Sequence, residues 1–426
     1  MAHAETDAQG RILAADGTPL KQSLQRALRA QKMRALLLIA PLLLFVVITF
    51  VMPIGDMLLR SVQNKAGTHY VPDLIPNVAE QIEDWDPASG ELPPEEVFRA
   101  MVVDLQVAFD EKNHTQLGRR FNYESPGMDS LFRTSGRRVS GLDLETDGPF
   151  REALIDINDD WGDLEYWATI KANSGYYTNS FFLAAVDMER DSTGIAQKDP
   201  DQRIYRKLLV RTLWLSAVIT FCTLLLGYPV AWLLADLPAR KANLLLILVL
   251  LPFWTSLLVR TSSWKILLQQ EGVINDFWVW LGFVERLSLI NNQLGVVIAM
   301  THILLPFMIL PLYSVMKTIP PSYLRAAKSL GATNWTAFWR VYFPQTTAGI
   351  GAGGLLVFIL AVGYFITPEL VGGADGTFIS NRIYFQFSAI GNWGLAAALG
   401  TIMLVVVLVL YYVYDRLVGI DNVKLG

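Results

Sequence analysis

The 426-residue sequence predicts an all-α membrane protein with six transmembrane helices and a mixed α/β domain inserted between the first two. Hydrophobic residues make up 52% of the chain and charged residues only 17%, whereas soluble domains carry about 25% charged residues. Six uncharged runs have the length of a bilayer-spanning helix. Residues 57–205 hold 27 acidic and 14 basic residues, while the remainder carries a net charge of +9. This distribution is typical of a membrane protein with a water-exposed insertion.

The six runs contain 18 to 32 residues between their bounding charges, and a transmembrane helix needs about 20 apolar residues. One such run could also be a buried core helix, but six of them favour membrane spans. Helix one is predicted at 35–56, and residues 206–418 form a core with the other five helices, between an N-terminal segment (1–34) and a tail (419–426). The runs are Ala35–Gly55, Thr212–Ala235, Ala242–Val259, Leu287–Met316, Val341–Pro368 and Ile383–Tyr414.

Lysine and arginine in the short flanking segments predict the orientation of the chain. They cluster before the first helix, between helices two and three, between helices four and five, and after helix six. Six spans place these four segments on one side, which the positive-inside rule assigns to the cytoplasm. Both termini are then cytoplasmic, and residues 57–205 are extracytoplasmic. The first run starts too late for a signal peptide and lacks a cleavage pattern close behind it.

The insertion contains its own signals of ordered structure. Apolar residues recur at helical spacing over Glu95–Asp110, after a Pro-Pro pair that suits a helix start. A second helix is predicted over Phe150–Lys171, and a short strand over Phe181–Val186. The excess of acidic residues is consistent with a solvated surface, or with attraction of a cationic ligand or a basic partner.

Several classes of chemistry are absent from the sequence. The single cysteine, Cys222, permits neither an intrachain disulfide nor a cysteine-based zinc site, and the four histidines match no metal-ligand spacing. No Gly-Lys dipeptide occurs, so the chain by itself has no phosphate-binding loop of an ATPase. His302 is the one ionisable residue well inside an apolar run, whereas ion-coupled transporters usually keep several. We therefore expect no catalytic residue, metal or nucleic acid, and an energy supply from a partner.

The segment Lys317–Ala348, between helices four and five, could receive that energy. Two prolines open it, and Ser322 is the candidate N-cap of a short helix over Tyr323–Leu330. Gly331 is placed to end this helix, and a second helix is predicted from Asn334 to Pro344. A short exposed helix with a small-residue face suits docking into a groove on another protein, or it lies as an amphipathic helix at the membrane interface. The residues alone leave both interpretations open.

This segment resembles the EAA loop of ABC importer permeases, whose pattern is E-A-A-x3-G-x9-I-x-L-P. Arg325-Ala326-Ala327, Gly331, Val341, Phe343 and Pro344 fall at its offsets, with Arg325 in place of the usual Glu. The chain from Arg206 onward resembles, more specifically, the spermidine/putrescine branch of type I ABC importer permeases. Its insertion is much longer than that branch leads us to expect. The stretches that carry this second resemblance are Thr212–Pro229, Leu251–Leu258, Gly295–Tyr313, Tyr364–Gly373 and Ile379–Gln386.

The resemblance implies a set of partners and a location. Such permeases work in the bacterial inner membrane with a second permease subunit, two ATPase subunits that bind the ATP and Mg, and a solute-binding protein. A heterodimer of permeases is expected rather than a homodimer, and the insertion is expected in the periplasm. The implied solute is a polyamine; the alternatives are another small solute (an amino-acid derivative, an opine, or an iron or thiamine compound) and secondary transport. The implied ATPase-coupling residues are Arg325, Ala326, Ala327, Gly331 and Pro344.

Five residues are candidates for the translocation path: Trp254, Arg260, Tyr364, Glu369 and Asp375. A polycation is bound by carboxylates or by aromatic faces, through cation–π contacts of about 0.5–2 kcal/mol each. Trp254 is more typical of the aromatic belt at a membrane interface, and Glu369 could instead cap a loop. Arg260 would repel a polycation, so it either pairs with an acid or indicates an anionic solute.

Overall fold

The computed structural model describes residues 20–191 and 194–418, which form two compact units divided between Leu59 and Arg60. The predicted tail and most of the predicted N-terminal segment lie outside the described residues. The first unit is helical: α1 (Leu20–Val46), a π-turn (Val47–Val51) and α2 (Met52–Arg60) follow one another. Its part from Gln31 to Arg60 is long and apolar enough to cross a membrane, which confirms the first predicted span.

The insertion is helical, and its described strands form only two short antiparallel ribbons. Its core is aromatic: Phe98, Phe121, Phe132, Trp161 and Trp167 are all fully buried. Neighbouring rings in this group lie 4.6–5.6 Å apart, a spacing that favours tilted aromatic pairs. The elements are β1 (Lys65–Ala66), β2 (His69–Tyr70), α3 (Val71–Leu74), α4 (Pro76–Gln81), α5 (Glu95–Asp110), α6 (His114–Asn122), α7 (Met128–Val139), α8 (Phe150–Ile157), α9 (Leu164–Ala172), α10 (Ser180–Ala185), β3 (Met188–Asp191) and β4 (Gly194–Gln197).

The predicted helix over Glu95–Asp110 is confirmed by α5. The strand predicted over Phe181–Val186 is wrong, because α10 occupies it and buries Phe181, Ala184 and Ala185 on one helical face. The single helix predicted over Phe150–Lys171 is also wrong. The helix breaks at Asn158, whose backbone is extended and whose side chain accepts a hydrogen bond from the backbone N–H of Asp160.

A buried arginine joins the beginning and the end of the insertion. The Arg120 guanidinium donates to Asn64 Oδ1 at 2.8 Å, to Asn173 Oδ1 at 3.0 Å and to Glu124 Oε1 at 2.9 Å. Asn64 also donates through Nδ2 to the carbonyls of Asn173 and Gly175. These bonds hold together segments more than 100 residues apart, so the insertion has a rigid base.

The remainder of the chain is a helical bundle built on α11, α15 and α18. Small residues of α18 allow close contact with α15: a Cβ at Gly349 would lie 3.1 Å from Val315, and one at Gly353 2.9 Å from Met308 Sδ. The elements are α11 (Tyr205–Asp236), α12 (Ala239–Leu250), α13 (Leu257–Leu267), α14 (Val273–Trp280), α15 (Gln293–Thr318), α16 (Pro321–Ser329), α17 (Asn334–Ala337), a π-turn (Phe338–Tyr342), α18 (Phe343–Val362), α19 (Ile366–Val371), α20 (Ile379–Phe385), a π-turn (Gln386–Ile390) and α21 (Trp393–Val418).

Among the described residues, five helices are long and apolar enough to span a membrane, or six if one bent pair counts as a span. That pair, Ala239–Trp254 and Leu257–Leu267, bends by 92°. Pro252 lies in a 3₁₀ turn, and the backbone of Thr255, the residue after this turn, is extended, so the helix cannot continue. The third predicted run therefore exists, but it is broken rather than straight.

Candidate functional site

The segment predicted to couple to a partner begins where α15 ends. Lys317, in the last turn of α15, donates through Nζ to the carbonyls of Ala235 and Leu237 at 3.1 and 3.3 Å. A cation at these carbonyls stabilises the C-terminal end of α11. The start of the segment is therefore fixed to two long helices of the bundle.

Most of helix α16 is exposed to solvent. None of its nine residues is buried, and Arg325 and Ala326 are exposed while Ala327 is half-buried. The helix begins at Pro321 with Pro320 as its N-cap, so the prediction of Ser322 as N-cap is wrong: Ser322 lies inside the first turn. Pro at the first helical position supplies a preset φ where no N–H partner is needed.

Gly331 ends α16 as predicted. Its φ is +89°, a conformation that favours glycine. Its N–H donates to the Lys328 carbonyl at 3.0 Å, and the N–H of Ala332 donates to the Ala327 carbonyl at 3.0 Å. These two bonds form a Schellman motif. A Cβ at Gly331 would meet no atom within 4 Å, so only the backbone conformation restricts this position.

The second predicted helix begins where expected but does not end at Pro344. Thr333 caps it by accepting the Thr336 N–H at 3.2 Å, and the helix runs from Asn334 to Val362. The π-turn Phe338–Tyr342 ends two residues before Pro344. Because proline lacks an N–H and crowds the carbonyl four residues earlier, a wider turn at this point lets the helix continue. Pro344 thus lies within one helix that joins the coupling segment to α18.

An aromatic groove separates α16 from the bundle. It has a volume of about 490 Å³, and Leu324 and Lys328 of α16 form one wall. Trp335 is 73% exposed, whereas the Phe338 ring packs against Trp232 of α11 with ring centroids 5.6 Å apart. The remaining lining residues are Asn334 and Tyr342. The groove therefore lies against aromatic side chains of α11 and of the helix that leads into α18.

The structure places two of the five translocation-path candidates near each other. Arg260 lies on α13 and Tyr364 lies just before α19. Thr367 follows Tyr364 by three residues, in α19, and the hydroxyl oxygens of Thr367 and of Thr261, the neighbour of Arg260, lie 3.2 Å apart. Arg260 Nε is buried and has no hydrogen-bond partner among the described residues.

The other three candidates lie apart from this pair. Glu369 Oε2 accepts from Asn381 Nδ2 at 2.7 Å and so ties α19 to α20. Asp375 is 80% exposed, with an oxygen 3.9 Å from the Arg211 guanidinium. Trp254 is 84% exposed at the bend after α12. Within residues 194–418, no hydrogen bond or ion pair connects Glu369 or Asp375 to Arg260.

One polar pair of this region could not be predicted as a pair. Trp264 Nε1 donates to His302 Nδ1 at 3.0 Å, which joins α13 to α15. The sequence singles out His302 as an isolated ionisable residue within an apolar run. Its partner lies 38 positions earlier, beyond a break in the chain direction, and no local pattern indicates that contact.

Known proteins resemble the second half of this chain. Residues 209–419 match the family described as "Binding-protein-dependent transport system inner membrane component". The chain is 39% identical over 224 residues to the spermidine/putrescine transport system permease protein PotB of Salmonella typhimurium (strain SL1344), covering 52% of this chain and 78% of that protein. It is 34% identical over 259 residues to the inner membrane ABC transporter permease protein YdcU of Escherichia coli (strain K12), covering 58% and 81%.

Solved structures also align with the chain. A bacterial alginate ABC transporter, in complex with an alginate pentasaccharide-bound periplasmic protein, aligns with a TM-score of 0.43 and 18% identity over 50% of this chain and 77% of that chain.

The family match begins within α11 and extends past α21, so it contains α16, Gly331 and Pro344 but excludes the insertion. Together with the apolar helices, it establishes a multi-pass inner membrane protein. The chain belongs to the family of binding-protein-dependent transport system inner membrane components, in the branch of type I ABC permeases that includes PotB.

Proposed function

We propose that this chain is a permease subunit of an ATP-driven importer and forms part of the translocation path for a polyamine such as spermidine or putrescine. The observation that carries the proposal is the geometry of α16: a helix with no buried residue, held between two long apolar helices and ended by Gly331. A helix so exposed has a face to offer to a partner. The identity of 39% to a spermidine/putrescine permease supports the choice of solute.

The chain itself supplies no ATP chemistry in this proposal. Two ATPase subunits bind ATP and Mg, and their closure moves α16. Arg325 and Ala326 meet the ATPase surface, while Gly331 ends the docking helix. The groove aromatics and the continuous helix through Pro344 pass the motion to α18. Because Arg325 stands where the family pattern has Glu, we expect its contact on the ATPase to be acidic or neutral.

A second permease subunit, a different chain, completes the pathway, and a solute-binding protein delivers the polyamine. In this arrangement both termini are cytoplasmic and residues 57–205 are periplasmic. The insertion enlarges the docking surface for the binding protein, and its acidity of 27 acidic against 14 basic residues favours a basic partner surface. Replacing Asn64–Gln197 by a short linker tests this role. Unchanged affinity for the binding protein, in a complex that keeps its basal ATPase activity, would contradict it.

The path is expected to use the Tyr364 ring and the Glu369 and Asp375 carboxylates for the ammonium groups, with Trp254 at the bend. Arg260 supports a second candidate function, the transport of an anionic solute. Its buried Nε without a partner suits a carboxylate-bearing small solute better than a polycation. Replacing Arg260 by Gln should leave polyamine transport intact or improve it, whereas it should abolish transport of an anionic solute.

ATPase activity of the complex, co-expressed with its neighbouring genes and reconstituted in nanodiscs, tests the proposal. Binding protein loaded with spermidine should stimulate hydrolysis, and unloaded binding protein should not. Stimulation by a different loaded solute would retain the importer and replace the polyamine. Failure of any ATPase subunit to co-purify would contradict the role of α16.

A further inference from the structure

A basic cavity lies at the base of the insertion, beside the first residues of α21. Its volume is about 230 Å³, and its fourteen lining residues include Arg60, Lys65, Arg119 and Arg120 but neither aspartate nor glutamate. The insertion around it has a net charge of −13. The cavity is therefore positively charged within a negatively charged domain. Its walls focus a positive potential, which attracts anions and repels a polycation. It is therefore distinct from the proposed polyamine path.

The cations of this cavity are held in place by different contacts. Arg120 is paired with Glu124, so it forms a fixed wall. The Arg60 guanidinium lies over the Trp393 ring at 5.2 Å, and the Lys65 ammonium lies over the Tyr70 ring at 4.6 Å. Such contacts orient both cations. Lys65 and Arg119 form no ion pair among the described residues, so the cavity keeps an excess of positive charge after the Arg120 pair is counted.

An unpaired hydrogen-bond acceptor in the cavity requires that the ligand also carry a hydrogen-bond donor. Gln63 lines the same cavity, and its Oε1 is buried without a hydrogen-bond partner among the described residues. Such an oxygen destabilises the folded chain unless a hydrogen-bond donor reaches it. A ligand that combines an oxyanion with a hydroxyl or ammonium group satisfies both features. A phosphate group with an attached alcohol or amine has this chemistry.

The cavity lies at the start of an apolar helix. Trp393, which lines the cavity, is the first residue of the candidate span Trp393–Arg416. Tryptophan is enriched at the headgroup level of membranes, and a positive potential at that level attracts an anionic headgroup. We propose that this cavity binds a phosphate oxyanion, supplied by a phospholipid headgroup.

The test is native mass spectrometry of the full chain in a neutral detergent, titrated with dihexanoyl phosphatidylglycerol or with inorganic phosphate. The variant Lys65→Gln/Arg119→Gln removes two cavity charges outside the buried core. The control Lys112→Gln/Arg137→Gln removes two exposed charges of the same insertion. Because a charge-assisted hydrogen bond contributes about 1.5–3 kcal/mol, the short-chain lipid should bind the cavity variant at least about tenfold more weakly than the wild-type or control chain.

The two probes separate the sources of the phosphate. Binding of the lipid without comparable binding of inorganic phosphate supports a headgroup site. Comparable binding of both supports the phosphate chemistry but assigns the site to a free ion. Equal lipid binding by the cavity variant and the control, or no binding of either probe to the wild-type chain, overturns the proposal.

Discussion

Replacing Arg120 by Met should destabilise the insertion more than any single exposed change. The Arg120 side chain is 1% exposed, and Met fills a similar length without any donor. The variant leaves Asn64 Oδ1 without its donor and Glu124 without its cation. Asn173 Oδ1 loses one bond but retains contacts from two hydroxyl groups.

The expected magnitude follows from these losses. Breaking a buried ion pair by removing one partner costs about 3–5 kcal/mol. The Glu124 side chain keeps 19% exposure, so water relieves part of its charge and the lower end of that range, about 3 kcal/mol, is expected. At 1.4 kcal/mol per factor of ten, this corresponds to about a hundredfold increase in local opening.

Amide hydrogen exchange of the full chain, measured by mass spectrometry on peptides from α5 to α7, is the assay. The matched control is Arg133→Met, since Arg133 pairs with Asp129 at the same i,i+4 spacing but has a 56% exposed side chain. Exposed pairs contribute about 0.2–1 kcal/mol, so the control should change exchange by less than about tenfold. Exchange in the Arg120 variant within threefold of the control would refute the reasoning.

Three further predictions concern other positions. Gly394→Ala places a Cβ 2.3 Å from the Phe181 ring, so it should push α10 away from α21 and destabilise the chain by about 1–3 kcal/mol. The thermal unfolding midpoint should therefore be lower than that of the wild-type chain, and an unchanged midpoint contradicts this prediction. In Gly331→Val, the valine must adopt a φ of +89°, which costs about 1–2 kcal/mol, so solute-stimulated ATPase activity should fall severalfold. The control Gly282→Val, with a φ of +96°, carries the same strain outside the coupling segment and should leave this activity unchanged. Equal effects of the two variants would reject the coupling role. Burial raises the pKa of the Asp104 carboxyl despite its hydrogen bonds from the start of α4, so the folded insertion binds that proton more tightly than the unfolded chain, and the stability from Asp104 falls as pH rises above about 4. The free energy of unfolding of the wild-type chain, relative to that of Asp104→Asn, should therefore fall from pH 4 towards neutrality. A relative free energy that rises with pH would contradict this prediction.

The apolar core of the second half follows closely from the sequence. Run length alone locates the long helices, and local rules suffice for the end of α16, since only the conformation of Gly331 matters there. The same rules fail at Ser322, because Pro321 already starts the helix one residue earlier. They also fail to predict the break in the third span, since the apolar run continues across Pro252 and Thr255, where the helix stops.

The insertion could be predicted only in part, because tertiary contacts decide it. The apolar residues from Phe181 to Val186 fit a strand equally well until α21 is known to cover Phe181 and Ala184. The Arg120 network brings together residues that are distant in sequence, and no spacing indicates them. Likewise, the basic cavity is invisible in an acidic composition, since its cations come from separate elements.

Uptake of labelled spermidine into proteoliposomes containing the complete complex tests the central claim most directly. With the binding protein outside and ATP inside, spermidine should accumulate, and accumulation should stop when ATP is replaced by a non-hydrolysable analogue. It should also fall severalfold in the Gly331→Val complex and be kept in the Gly282→Val complex. Accumulation driven by a proton or sodium gradient without ATP would contradict the account and identify a secondary transporter.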